Sequence, residues 1–360
     1  MRILYAGNIQ SVHLRRWVDA AVGAGDEVAV CSFEAGSCAA RLDVLRTFGL
    51  GRAAYLLGVP QLKRVVRQFR PDIVHAHYLT SYGAVAALAN LHPLLVTAWG
   101  SDLLPVSSTS AIHRWAARLA VQSADLVTVV ADHMKVSAVT LGANPDRLET
   151  VGFGTDLRLF RPRSGPLSPA HRAPMVICTR NFHDVYRVDT LIAALGYLRQ
   201  EGRPFDCRLI GDGPRKRPLQ TAARRSGVAP AVTFLGPRRP SEIASELAAA
   251  DVFVSPAISD GANVSLTEAL ACGAFPIATD IPANRQWIEP GVTGLLFPPG
   301  DARALARALV TAFDSPDLRA RARQKNLEVV GQRANWERQV AQMRGLYCRT
   351  LDARSGRMAG

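Results

Sequence analysis

With 360 residues, 48% apolar content and a mean hydropathy of +0.06, the chain is long enough for two ordinary domains and reads as a soluble globular protein with a sizeable core. Its best apolar run, residues 84–99, is broken by Asn90, His92 and Pro93, which excludes a membrane span. A net charge of +13 and a pI of about 10.1 leave three partner classes: nucleic acid, an anionic membrane surface or acidic substrates. An Arg- and Ala-rich composition from a GC-rich genome is the plain alternative.

The opening MRILYAGN is a first strand, Arg2–Ala6, and not a cleavable signal pattern. Gly7-Asn8 turns out of it, a helix runs from about Val12 to Val22 with Leu14, Trp17, Val18 and Ala21 on one face, and Glu27–Ser32 is the next strand. Strand, Gly turn, helix, strand opens a doubly wound α/β domain, whose ligands sit at the carboxyl ends of strands. Gly7, Asn8 and Ser11 fall there, with His13 either facing the ligand or serving as a surface or capping histidine. No G-x-G-x-x-G follows the strand, which disfavours a dinucleotide.

Residues 41–70 hold seven Arg or Lys against one acid, Asp43, interleaved with apolar residues. VPQLKRVVRQFRPD reads either as a solvated surface helix or as a contact for anionic headgroups or an anionic acceptor. Strand Asp72–His75, a helix near Ser81–Leu91 and strand Leu94–Ala98 follow. The last delivers Trp99-Gly100-Ser101-Asp102 to a ligand edge, with His75 and His77 nearby in sequence. After strand Ala124–Val130 and a helix over Asp132–Leu141, residues 161–174 (RPRSGPLSPAHRAP) have four prolines, a glycine and no apolar period, the signature of a linker.

A second α/β repeat starts with strand Met175–Thr179. Arg180 stands at its carboxyl end, where a guanidinium suits a pyrophosphate because it bonds two oxygens at once. Helix Val188–Gln200 and strand Phe205–Ile210 lead to the tight turn Gly211-Asp212-Gly213-Pro214 at the next ligand edge, followed by strand Ala231–Leu235. After Asp251–Val254, the loop from Ser255 runs into a helix starting near Asn263, with Leu266, Ala269, Leu270 and Cys272 on its apolar side. Free amides and the dipole at such a start form an anion site. Asp260 on the loop and Glu268 on the helix flank it, and two acids around a phosphate site suggest that hydroxyls of a ribose and a sugar are also held. Helix Asp301–Phe313 and a final helix pattern over 334–350, with Trp336, Val340, Met343 and Tyr347, complete the chain.

The stretch SPAISDGANVSLTEALACGAFPIATDIPANRQWIE resembles the donor-binding segment of glycosyltransferase family 4, retaining enzymes of the GT-B fold. The likeness runs from the first strand to about residue 310, and the SDG-x-N-V-S-L-x-EA variant is similar to a bacterial surface-polysaccharide and glycolipid branch. Asp260 stands where the family's first signature Glu would be, and Glu268 is the second. Tyr186 aligns with the family's phosphate-binding Lys, and Trp99 stands in place of a His, with Gly100 and Asp102 kept.

The resemblance implies two Rossmann-like domains facing each other across a cleft: 1–163 for the acceptor, linker 164–174, 175–333 for the donor, and 334–360 returning to the first domain. It further implies that Arg180 and the amides of Asn263, Val264, Ser265 and Leu266 hold a UDP- or GDP-sugar's phosphates. Glu268 would take the ribose hydroxyls and Asp260 those of the sugar. Tyr186 and the Gly211–Gly213 turn would lie beside the nucleotide, with Arg238 or Arg239 stacked on the base. The acceptor, a glycan or a lipid-linked one, would meet Gly7, Asn8, His13, His77, Trp99, Gly100 and Asp102. Leaving-group charge would fall to Arg180 and the helix start without a metal or other cofactor, since neither D-x-D nor a ligand cluster is present. The cysteines Cys31, Cys38, Cys178, Cys207, Cys272 and Cys348 form no C-x-x-C pair and read as buried, reduced thiols of a cytosolic protein. The expected place is the cytoplasm, with a peripheral contact on the inner membrane face through 41–70. Nucleic acid is disfavoured, lacking a helix-turn-helix, zinc pattern or aromatic–basic platform. A protein that kept the donor pocket but lost catalysis is the alternative, motivated by Trp99, Tyr186 and Asp260. Oligomeric state has no signal in the sequence.

Overall fold

Short apolar runs ending in Gly or polar turns, with helices between them, build two all-parallel sheets. The structure is a computed structural model and describes the chain apart from residues 48, 50–53, 105–109, 164–172 and 359–360. The first sheet is formed by β1 (Arg2–Ala6), β2 (Glu27–Ser32), β3 (Arg41–Val44), β4 (Ile73–His77), β5 (Leu94–Ala98), β6 (Leu126–Val129) and β7 (Leu148–Thr150), in the order β3-β2-β1-β4-β5-β6-β7. The second has β8 (Met175–Cys178), β9 (Asp206–Ile210), β10 (Val232–Gly236), β11 (Val252–Ser255), β12 (Phe275–Thr279) and β13 (Leu295–Phe297), in the order β10-β9-β8-β11-β12-β13. Each β–helix–β crossover returns a parallel strand, so helices cover both faces and central strands such as β4, β5 and β12 are buried at every position. Both orders reverse direction once, between β1 and β4 and between β8 and β11. At that reversal the connections diverge to opposite faces and leave a crevice for ligands.

By contacts the chain divides into Met1–Phe153 with Arg338–Gly360, and Gly154–Glu337. The first boundary lies ten residues before the expected 163, for a physical reason. Phe160 is buried in the second unit's core with Ile177, Leu247 and Leu270, and the Thr155 amide bonds the Ala334 carbonyl at 2.5 Å. Most of the expected linker, 164–172, lies outside the described residues. The last helix, Trp336–Met358, places Tyr347 in the first unit's core, where its hydroxyl meets His75 Nδ1 at 2.7 Å and the Tyr5 hydroxyl at 3.2 Å.

The basic stretch 41–70 is not one helix. Arg41–Val44 is the edge strand β3, residues 48 and 50–53 are outside the described residues, and the helix is Ala54–Phe69. Its Leu62, Val65 and Phe69 are buried while Lys63, Arg64 and Arg67 face water.

Candidate functional site

The reversal of the second sheet collects the charged residues singled out in the sequence. Arg180 follows β8, and Asp260 and Asn263 follow β11. Asn263 caps helix Val264–Cys272 by accepting the Leu266 amide on its side chain at 3.1 Å. The Asn263 amide group donates at 2.9 Å both to Ser255 Oγ and to Asn284 Oδ1. Asn284 in turn donates to the Thr279 carbonyl at 2.8 Å. Every polar atom of a side chain only 1% exposed is thereby satisfied, as burial demands.

Against this frame the Arg180 side chain is itself 8% exposed. Its Nη1 donates to Asn263 Oδ1 at 3.0 Å and to Ser265 Oγ at 3.5 Å, and its Nη2 donates to Asp260 Oδ2 at 2.5 Å. The Tyr186 ring lies 4.2 Å from the guanidinium carbon. Burial opposes the Arg180 charge most strongly, but the Asp260 carboxylate and the Tyr186 and Cys178 groups outweigh it and hold its pKa above the usual value. Its Nε is buried with no hydrogen-bond partner. Tyr186 thus supplies a π-face to the existing cation at the position where the family's pattern has a Lys. Arg187 beside it is committed elsewhere, gripping Asp189 with two bonds of 3.1 Å.

Of the amides expected to face an anion, two are taken. Val264 N bonds the Ala262 carbonyl at 2.9 Å and Leu266 N the Asn263 side chain, which corrects the expectation for both. Among the described residues the Ser265 amide donates to no protein acceptor, and it sits beside the Arg180 contact. Glu268 is half-buried, further along the same helix.

Gly211 and Gly213 shape the loop that carries Arg180. Their φ values are +144° and +150°, and a Cβ would lie 2.6 Å from the Arg180 carbonyl oxygen and 2.6 Å from that of Phe182. The turn presses its backbone onto the Arg180 loop and fixes it, with Phe182 N bonding the Asp212 carbonyl at 2.9 Å. The Asp212 carboxylate is held below its usual range by the Gly213 amide and by Lys216. Arg238 is exposed, and Arg239 is drawn to Glu242 at 3.1 Å at the start of its helix.

In the first unit the reversal between β1 and β4 brings together Gly7, His13 and His77, and Trp99 joins them from the end of β5. A Cβ on Gly7 would meet Leu14 at 2.9 Å and His77 at 3.3 Å. Asn8 forms its own turn, taking the Gln10 amide at 2.8 Å. His13 stacks on Phe153 with centroids 4.0 Å apart and meets the Trp99 edge at 5.7 Å. Trp99 Nε1 donates to His77 Nδ1 at 3.2 Å, so the neutral His77 ring carries its proton on Nε2, which is buried without a partner. Burial, with His13 nearby, pushes His77 down to about 3, and burial with Arg16 lowers His13 to about 4.

His75 is a core residue. It stacks on His77 at 4.0 Å and is bonded on both nitrogens, to Tyr347 and, at 2.6 Å, to Thr97. Asp102 corrects the expectation that it lines the acceptor site. Its carboxylate is 1% exposed and accepts the Leu79, Trp99 and Gly100 amides at 2.7, 2.9 and 2.9 Å. Burial raises its pKa and those amides resist the rise. Asp102 and Gly100 therefore shape the loop that presents Trp99. Sequence reasoning missed Phe153, Ser255, Asn284 and Tyr347. Ser255 and Asn284 were legible as polar residues at or just beyond strand ends, Phe153 only as part of the segment that closes the first domain, and Tyr347 only as apolar periodicity.

Two Rossmann-like parallel-sheet units, the second with a buried arginine set against a helix start at its reversal, define the class as GT-B. The solved structure of Anabaena HepE with UDP-glucose is similar, with a TM-score of 0.83 at 21% identity over 98% of this chain and 100% of that one. Family models agree in sequence: "Glycosyl transferase 4-like" matches residues 2–131 and "Glycosyl transferases group 1" matches 173–315. The chain belongs to this glycosyltransferase family. D-inositol 3-phosphate glycosyltransferase of Gordonia bronchialis is 27% identical, over 84% of this chain and 71% of that protein. The putative colanic acid biosynthesis glycosyltransferase WcaL of Escherichia coli is 25% identical, over 71% of this chain and 64% of that protein.

Proposed function

We propose that the protein is a retaining glycosyltransferase that moves a sugar from a UDP- or GDP-sugar to a glycan or lipid-linked acceptor in bacterial surface-polysaccharide or glycolipid synthesis. The carrying observation is Arg180, a buried, preorganised guanidinium at the sheet reversal whose partners include the helix cap Asn263. Fixed positive charge in a dry site stabilises charge that develops on a departing diphosphate, without reorganisation at the moment of reaction. Arg180 and the Ser265 amide take the phosphates, Glu268 the ribose hydroxyls and Asp260 hydroxyls of the sugar. No metal or other cofactor has a part in this reading. The acceptor belongs to the first unit, near Gly7, His13, His77 and Trp99.

The UDP-glucose held by HepE and the polysaccharide role in WcaL's name support donor class and pathway. Among the described residues no helix is long and apolar enough to cross a membrane. The proposed location is the cytoplasm, against the inner membrane face through the basic 41–70 region.

A thermal-shift panel of UDP, GDP and their sugars on wild type and Glu268→Ala tests this. Ligands that bind only the folded state raise its Tm by mass action. Stabilisation by one nucleotide class, lost in Glu268→Ala, is the expected result. A folded wild-type protein that responds to none of them would refute the reading.

A further inference from the structure

The first unit has a groove of about 620 Å³ between helix Ala54–Phe69 and helix Ala111–Ser123, with Tyr55, Leu56, Tyr78, Leu88, Ile112 and Trp115 on its walls. Three of these stand far out of the core: Leu56 is 61% exposed, Ile112 74% and Trp115 54%. Single exposed apolar residues are ordinary, but several large ones around one concavity mark a binding surface. At its inner end the Tyr78 ring meets Trp99 edge-on at 6.3 Å, and the Tyr78 hydroxyl lies 3.0 Å from Ser101 Oγ. The groove therefore leads outward from the cluster of Trp99, His77 and His13. Neither helix contains an Asp or Glu, whereas Lys63, Arg64 and Arg67 on one and Arg114 and Arg118 on the other are exposed.

We infer that this groove holds the hydrocarbon chain of a lipid-linked phosphate acceptor, with the phosphate drawn to the cations that the same two helices expose. The inference rests on the transferase reading and deepens it by choosing the lipid-linked acceptor over a free glycan. A free glycan needs convergent hydrogen-bonding groups, and these walls offer chiefly aliphatic and aromatic surface. Charge complementarity fixes the sign of the head: a cationic or neutral amphiphile would gain nothing from two helices whose only charged side chains are Lys and Arg.

Isothermal titration with decyl phosphate below its micelle concentration tests the site, with inorganic phosphate and decanol as controls. Decyl phosphate should bind at least about tenfold tighter than either control, since both the chain and the charge are engaged. The double variant Ile112→Ser/Trp115→Ser, altered at exposed positions, should lose about that factor while its nucleotide response is unchanged. Equal decyl phosphate affinity in variant and wild type overturns the inference. So does co-sedimentation with phosphatidylglycerol vesicles that persists in the double variant but is lost on changing Lys63, Arg64 and Arg67 to Gln, which would make this face a charge-driven bilayer contact. Groove-dependent binding in a protein that ignores every nucleotide would refute the transferase reading and leave the lipid site standing.

Discussion

Substituting Asp260→Asn separates what this carboxylate does for the empty protein from what it does for a donor. The carboxylate is 2.5 Å from Arg180 Nη2, with the two side chains 13% and 8% exposed, so the pair is shielded from solvent. Removing one member of a buried pair costs about 3–5 kcal/mol, because the other charge is left unpaired. Here the loss should be nearer about 2–3 kcal/mol, since Asn keeps an acceptor oxygen for Arg180. For a unit of this size that lowers Tm by about 5–10 °C.

A diphosphate bound at Arg180 replaces the missing charge and no longer competes with Asp260. If about half of the lost stabilisation returns on binding, bare UDP or GDP binds roughly tenfold tighter to the variant, at about 1.4 kcal/mol per factor of ten. Preference for a nucleotide sugar over the bare nucleotide falls at the same time, because the sugar loses its carboxylate. Calorimetric titration of both proteins with nucleotide and nucleotide sugar measures the two effects. An unchanged or weaker affinity for the bare nucleotide, in a variant that melts as a folded protein, would show that Asp260 does not contend for Arg180.

Gly211→Ala should destabilise by at least about 3 kcal/mol and weaken nucleotide binding, because its Cβ would overlap the Arg180 carbonyl at 2.6 Å; Gly23→Ala, which meets nothing within 4 Å, should be neutral or slightly stabilising in the same melts. Asp102→Ala strands three buried amides and should cost about 3–5 kcal/mol in denaturant titrations; a cost under about 1 kcal/mol would mean the loop has another anchor. His77 and His13 are held neutral in the fold, at about 3 and about 4, so the unfolded chain takes up protons first as pH drops. Stability is therefore full above about pH 6.5 and declines from there towards pH 3–4, and His77→Gln should flatten that decline in melts across the range. Melting that does not respond to pH between 7 and 4 would contradict it.

Much of the fold was legible because parallel strands buried on both faces are continuous apolar runs: β1, β2 and β5 and helix Val188–Gln200 fall where the pattern puts them. The edge strand Arg41–Val44 was not, since three of its side chains in four are charged or exposed and its pairing comes from β2 alone. Of helix Ala54–Phe69 only the part from Val59 on was legible, because Pro60 obscured the turn before it. For the site, chain position at a strand end identified Arg180, Asp260 and Asn263, because topology alone brings those ends together. Direction was harder to read. Asp102 sits at such an end and turns inward, and Gly211 and Gly213 pack on a loop 31 residues earlier in the chain, facts set by three-dimensional packing.

The last helix gives the chain an order of completion. Residues 154–337 are contiguous, so the second unit has all its parts once they have emerged from the ribosome. The first unit does not: Tyr5 and His75 must await Tyr347, the partner of both. At about 5–20 residues per second the delay between Phe153 and Tyr347 is roughly 10–40 seconds. For that interval an early-made half stands with the Tyr5 hydroxyl and His75 Nδ1 lacking their Tyr347 partner and part of its core uncovered, exposed to proteases and chaperones, while its later-made neighbour is free to finish first.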